Sequence, residues 1–145
     1  MTEAALWQQL KRQLLPRDHA KRIENRLEDG TPDVNCCLDG VDTWIELKQL
    51  ADWPRRATTG IRLSRYTAAQ RAWLRARCDA GGNALLVLYV ARPREWVLVW
   101  PRGTEYVDGA TRAEVYGLAG AAYKGRPPAG ALRRSLMGKA GKSVI

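Results

Sequence analysis

The chain has 145 residues, 46% hydrophobic and 27% charged, with 24 Lys and Arg against 15 Asp and Glu for a formal net charge of +9. That is the size and balance of one globular domain with a respectable core. No apolar run approaches the ~20 residues that span a bilayer, charge interrupts the start "MTEAALWQQLKRQ" before a leader's apolar core can develop, and the basic excess favours nucleic acid or another polyanion as partner.

Residues 2–15, "TEAALWQQLKRQLL", read as a helix: Trp7, Leu10 and Leu14 recur at helical spacing, Thr2 can cap the start and Pro16 closes it. Residues 20–26, "AKRIENR", read as a short strand and "EDGTP" as a turn. Residues 33–38 and 41–49 alternate like two strands around Asp39-Gly40, a strong hairpin signal. A basic loop, "ADWPRRATTGIRL", fills 51–63. The next helix has a capping box in Thr67 and Gln70 and a stop at Gly81-Gly82. Residues 84–91, "ALLVLYVA", and 95–100, "EWVLVW", are two further strands about a turn at Arg92-Pro93-Arg94, and 110–123 hold a weak helix. From Lys124 the chain carries no acid and is rich in Gly, Pro, Lys and Arg, so a domain over 1–123 and a mobile basic tail over 124–145 are expected. The order of elements predicts an α/β layer around a mixed sheet.

Three cysteines, Cys36, Cys37 and Cys78, have neither zinc nor disulfide spacing, and small buried side chains are the expectation. His19 reads as a surface or turn residue, and Trp73 and Trp100 as core. "GKAGKS" at 138–143 is no phosphate loop, because Leu136 stands where that motif needs its first glycine.

The hairpin carries the chemistry. A two-residue turn at Asp39-Gly40 pairs Leu38 with Val41, Cys36 with Thr43 and Val34 with Ile45. Val34, Cys36, Leu38, Val41, Ile45 and Leu47 then share an apolar face, while Asp33, Glu46 and Lys48 share the other. Asp33 falls opposite Glu46, where Cβ atoms lie ~4.5–5.5 Å apart and like charges repel. Lys48 supplies one compensating positive charge. Mg²⁺ or Mn²⁺ would supply the rest, held by Asp33, Glu46 and the carbonyl of Leu47. The alternative is an Asp33 that caps the turn after Pro32, with Glu46 and Lys48 on a solvated sheet face.

"PDV" at 32–34 followed by "IELK" at 45–48 resembles the signature of the PD-(D/E)xK nuclease superfamily. The wider pattern "GTPDV…WIELK…LSRYTAAQRAWLRARCDAGG" is similar to the virus-type replication-repair nuclease group, found in phages and in larger DNA-repair enzymes, over most of residues 3–100. The resemblance implies a restriction-endonuclease-like fold, a central mixed β-sheet flanked by helices with an αβββαβ core. It implies metal-dependent hydrolysis of DNA phosphodiesters, with Asp33 and Glu46 holding the metal and Lys48 as the signature lysine. Nucleases of this type often take a further acid from the first helix. Glu3 is that candidate, on the stripe of Trp7, Leu10 and Leu14; Glu24 competes from the neighbouring strand. Gln70 matches a glutamine near the catalytic centre, although the capping box alone explains it. Arg65 and Arg71 could meet phosphates or simply be solvated, and Trp44 could stack on a base.

Small stand-alone members of the group resemble resolvases of branched DNA, and symmetric cutting of two strands asks for a homodimer. The expected protein is thus a cytoplasmic, phage-type, structure-selective endonuclease. Arg55, Arg56 and Arg62 in the basic loop would bind backbone phosphates without reading sequence. A sequence-specific restriction or homing-type nuclease and a non-catalytic DNA-binding scaffold are the alternatives.

Overall fold

Asp39 and Gly40 have φ of 48° and 82°, the pair of positive angles that a two-residue type I′ hairpin turn requires. They join β2 (Val34–Leu38) to β3 (Val41–Leu50) with Val34 opposite Ile45 and Leu38 opposite Val41. This is the register read from the sequence. The computed structural model describes residues 1–24 and 28–138. β1 (His19–Arg22) lies antiparallel on β2; the strand expected over 20–26 thus starts and ends earlier, and its residues 25–27 are outside the described part.

From β3 the chain passes through the basic loop and α2 (Ala68–Asp79) to β4 (Asn83–Val90), which pairs parallel with β3. β5 (Glu95–Val99) and β6 (Ala121–Lys124) follow antiparallel, completing a six-stranded mixed sheet in the order β1-β2-β3-β4-β5-β6. All eight residues of β4 are buried. A central strand covered on both faces should read as a continuous apolar run, and "ALLVLYV" does.

Alternate residues of the central strands feed two cores. α1 (Glu3–Lys11) and α5 (Ala131–Leu136) cover one face, where Leu6, Leu10, Val34, Ile45, Leu47, Val87, Leu132 and Leu136 meet. α2, a short α3 (Pro101–Thr104) and α4 (Arg112–Leu118) belong to the other, where Leu74, Leu86, Leu88, Val99, Val107 and Val115 meet. Among the described residues no helix is long and apolar enough to cross a membrane.

The C-terminal third differs from the expectation. The weak helix over 110–123 resolves into α4, with a Thr111/Glu114 capping box, and β6. After Lys124, the last residue of β6, the segment assigned to the tail by composition forms α5. Leu132 and Leu136, one helical turn apart, are both fully buried. Arg133 between them is buried too and donates to Asp18 (2.7 and 2.8 Å) and Asp39 (3.0 Å). Asn83 holds the end of α5 by donating to the Leu136 carbonyl at 2.8 Å, while it accepts from the Trp100 indole at 2.9 Å. Basic composition hid two apolar anchors and an arginine whose acids lie ~100 residues away in sequence. Residues 139–145, with most of "GKAGKS", are outside the described part.

Smaller outcomes follow from the same packing. Trp100 is buried as expected, whereas Trp73 is half-buried and packs on Trp44, with ring centroids 5.0 Å apart. Cys36 is buried and its thiol is pushed up to about 12 by desolvation; Cys37, expected to be buried, is exposed because it points away from that core. His19 is exposed at the start of β1.

Candidate active site

β3 outruns β2. Past Ile45 the strand keeps β4 on one side, but its other edge has lost its strand partner. Asp33, the residue just before β2, fills the gap with its side chain: Oδ2 accepts the Leu47 N–H at 2.8 Å. Its own backbone carbonyl accepts from Ile23 at 2.7 Å, tying it to the β1 side. Asp33 is therefore oriented by backbone on both sides.

Glu46 and Lys48 project from the same β3 edge toward the α2 face. Glu46 is only 1% exposed. Its Oε2 lies 3.5 Å from Lys48 Nζ, but Oε1, fully buried, has no hydrogen-bond partner among the described residues. Burial first, and the charge of Asp33 second, push the Glu46 carboxyl up to about 9, against the opposing pull of Lys48. The ordinary glutamate value is 4.5. Between there and about 9 the unfolded chain has released a proton that the folded protein still holds, so stability falls as pH rises through that window. Asp18 and Asp39, which Arg133 holds below the ordinary aspartate range, finish ionising under it. With chelator present, the wild type is expected to melt lower at about pH 8.5 than at about pH 5.5, and Glu46→Gln to lose that decline. Equal pH slopes in the two thermal scans would refute the assignment.

Lys48 is held by backbone. Its ammonium donates to the carbonyls of Ser64 (3.2 Å) and Arg65 (3.0 Å) and sits 5.6 Å from the Tyr66 ring centre. Arg65 has a φ of 58°, uncommon for a residue with a long side chain and often seen where a site over-determines the backbone. Tyr66 anchors this loop by donating its hydroxyl to the Thr104 carbonyl at 2.9 Å. Sequence reasoning singled out the Arg65 side chain and missed the two carbonyls, which no residue type announces.

These groups line one cleft of about 490 Å³ together with Glu3, Leu6, Gln49 and Gln70. Gln70 does both things weighed for it. Its side-chain oxygen caps Thr67 N–H at 2.9 Å while the residue faces the cleft, leaving the amide N–H groups to offer. The turn that bears Asp33 sits tightly on this helix start: Gly30, at φ 85°, would place a Cβ 2.4 Å from the Ala69 carbonyl oxygen. Glu3, first residue of α1, reaches the cleft, and burial and then the charge of Asp33 raise its carboxyl above the ordinary value. Its partner Arg22 is 3.6 Å away. Glu24 is exposed and does not line the cleft. Arg65 borders the cleft, whereas Arg71 stacks 4.5 Å from the Tyr66 ring centre and lies 3.6 Å from Asp108. Arg55, Arg56 and Arg62 are exposed on the basic loop outside it. Trp44 donates its indole N–H to Asp42 at 3.0 Å and packs on Trp73, so its ring is not free to stack.

The donor set suits a hard dication. An orphaned, buried carboxylate oxygen beside a second carboxylate is an electrostatic deficit that a cation would remove. Among the described residues no group of three His, Cys, Asp or Glu side chains is gathered at ligand spacing. Mg²⁺ is commonly held by only one or two carboxylates with water completing its shell, which Asp33, Glu46 and the Leu47 carbonyl can match.

The αβββαβ core, the mixed sheet and the helices on both its faces make this a restriction-endonuclease-like fold. Among solved structures the chain is similar to that of Archaeoglobus fulgidus Hjc, a Holliday junction resolvase from an archaeal hyperthermophile, with a TM-score of 0.52 and 18% identity over 81% of this chain and 93% of that one. No protein-family model and no curated protein matches the sequence.

Proposed function

We propose that this chain is a metal-dependent, structure-selective DNA endonuclease that hydrolyses phosphodiester bonds in branched DNA, acting as a homodimer. The observation that carries the reading is the convergence of Asp33, Glu46 and Lys48 in one cleft, with Glu46 buried and one of its oxygens unpartnered. The fold shared with a junction resolvase and the net charge of +9 support the substrate class.

A divalent cation bound at Asp33, Glu46 and the Leu47 carbonyl would lower the pKa of attacking water and offset charge on the non-bridging phosphate oxygens. The chain's own residues prepare that chemistry. Asp33, fixed through Oδ2 by the Leu47 N–H, keeps Oδ1 for the cleft. Lys48, clamped by two carbonyls, presents a fixed positive charge where charge develops on the phosphate or water must be oriented. Gln70 and Arg65 stand at the rim to meet the phosphate. Two copies would bring two such clefts to the strands of a junction.

Four-way junction, flap, duplex and single-stranded DNA, each incubated with Mg²⁺ or with EDTA, test the reading. Cleavage of the branched substrates only, and only with metal, is expected. Equal cutting of every substrate refutes structure selectivity, and binding without cutting in Mg²⁺ and Mn²⁺ indicates a scaffold. Lys48→Ala is expected to lower single-turnover cleavage by about 10²–10³-fold with DNA affinity kept; full turnover would remove the lysine from the mechanism.

A further inference from the structure

The sheet face that carries α1 holds a second cleft, of about 300 Å³. Arg12 at the C-terminal cap of α1, Arg94 from the β4–β5 turn and Arg126 from the segment after β6 line it together. No carboxylate lines the cleft, and none of the three guanidinium groups has an ion-pair partner among the described residues. Seven other arginines, at 17, 22, 71, 75, 92, 112 and 133, do have one. Three like charges are gathered here from distant parts of the chain, and no acidic side chain of the cleft offsets them. Arg94 is also held at a φ of 55°, a conformation that disfavours a long side chain. Beneath them Tyr89 and Trp96, a buried cross-strand pair with ring centres 4.7 Å apart, form a rigid apolar floor. All three arginines are exposed around that floor, so an anion above it meets three cations and no carboxylate.

We infer that this cleft binds backbone phosphates of a segment of DNA other than the one in the catalytic cleft, so that each chain grips two arms of a branched substrate. The inference rests on the nuclease reading. The aromatic rings are too buried to stack on bases, so the contact is with the backbone and blind to sequence. The two clefts flank one helix: Glu3 and Leu6 of α1 line the catalytic one, Arg12 the second. A ligand longer than either cleft is needed to occupy both, and a branched nucleic acid is one.

The test is binding, measured by fluorescence anisotropy across salt concentrations in an Asp33→Asn background that leaves DNA uncut. The triple variant Arg12→Gln, Arg94→Gln, Arg126→Gln is compared with a charge-matched control, Lys21→Gln, Arg102→Gln, Arg134→Gln. The probes are a four-way junction and a duplex one helical turn long. The first variant is expected to lose about tenfold or more in junction affinity, with the slope of log K against log salt falling by about 2–3, while short-duplex binding changes by less than about twofold. The control should keep the parent's slope. Equal losses in both variants would reduce the effect to net charge and overturn the inference, as would an unchanged junction affinity. A parent protein that binds neither DNA would overturn the nuclease reading along with it.

Discussion

Asp33→Asn and Glu46→Gln are each expected to lower junction cleavage by about 10³-fold or more with the fold intact. Asn at 33 keeps an oxygen for the Leu47 N–H, so the backbone contact survives while the charge is lost. Gln at 46 keeps the shape of a side chain that is almost wholly buried and removes a carboxyl whose ionisation the site disfavours. Without metal, Glu46→Gln should therefore be the more stable protein above neutral pH, by about 1–3 kcal/mol, or several degrees in Tm. Opposite signs for activity and stability are the signature of a group retained for chemistry rather than for folding. Cleavage rates on a junction and thermal melts with chelator check both. Unchanged cleavage in either purified variant would refute the metal assignment, and a large loss of stability in Glu46→Gln would make the carboxylate structural.

Ending the chain at Tyr123 is expected to unfold the domain, although composition alone marks that point as the start of a mobile basic tail. The deletion uncovers the core beneath Leu132 and Leu136, both fully buried, and leaves Asp18 without the Arg133 guanidinium that it faces. Truncating one such leucine to Ala costs about 2–5 kcal/mol, and a whole domain commonly has only about 5–15 kcal/mol to lose. Leu132→Ala is the milder form of the test and should lower the unfolding free energy obtained from urea titration by about 2–5 kcal/mol. A truncated chain with native circular dichroism and a cooperative melt would show that α5 is dispensable after all.

The hairpin, the capped α2 and the buried β4 were legible residue by residue because their signals are local. A two-residue turn sets a register, a period of two sorts side chains between faces, and Thr67 with Gln70 closes a cap within one turn. That is why Asp33, Glu46 and Lys48 could be placed on one side of the sheet from their spacing alone. Tertiary structure decided what depends on distant segments. It brought Glu3 rather than Glu24 to the cleft, because that choice turns on how α1 docks across β3. It clamped Lys48 with carbonyls of Ser64 and Arg65, whose role lies in a backbone conformation and not in a residue type. It folded a basic stretch back as α5, because two leucines found an apolar face and one arginine found acids from Asp18 and Asp39. Local periodicity is written in neighbouring residues; the pairing of remote surfaces is settled only when burial and charge compensation are met together in three dimensions.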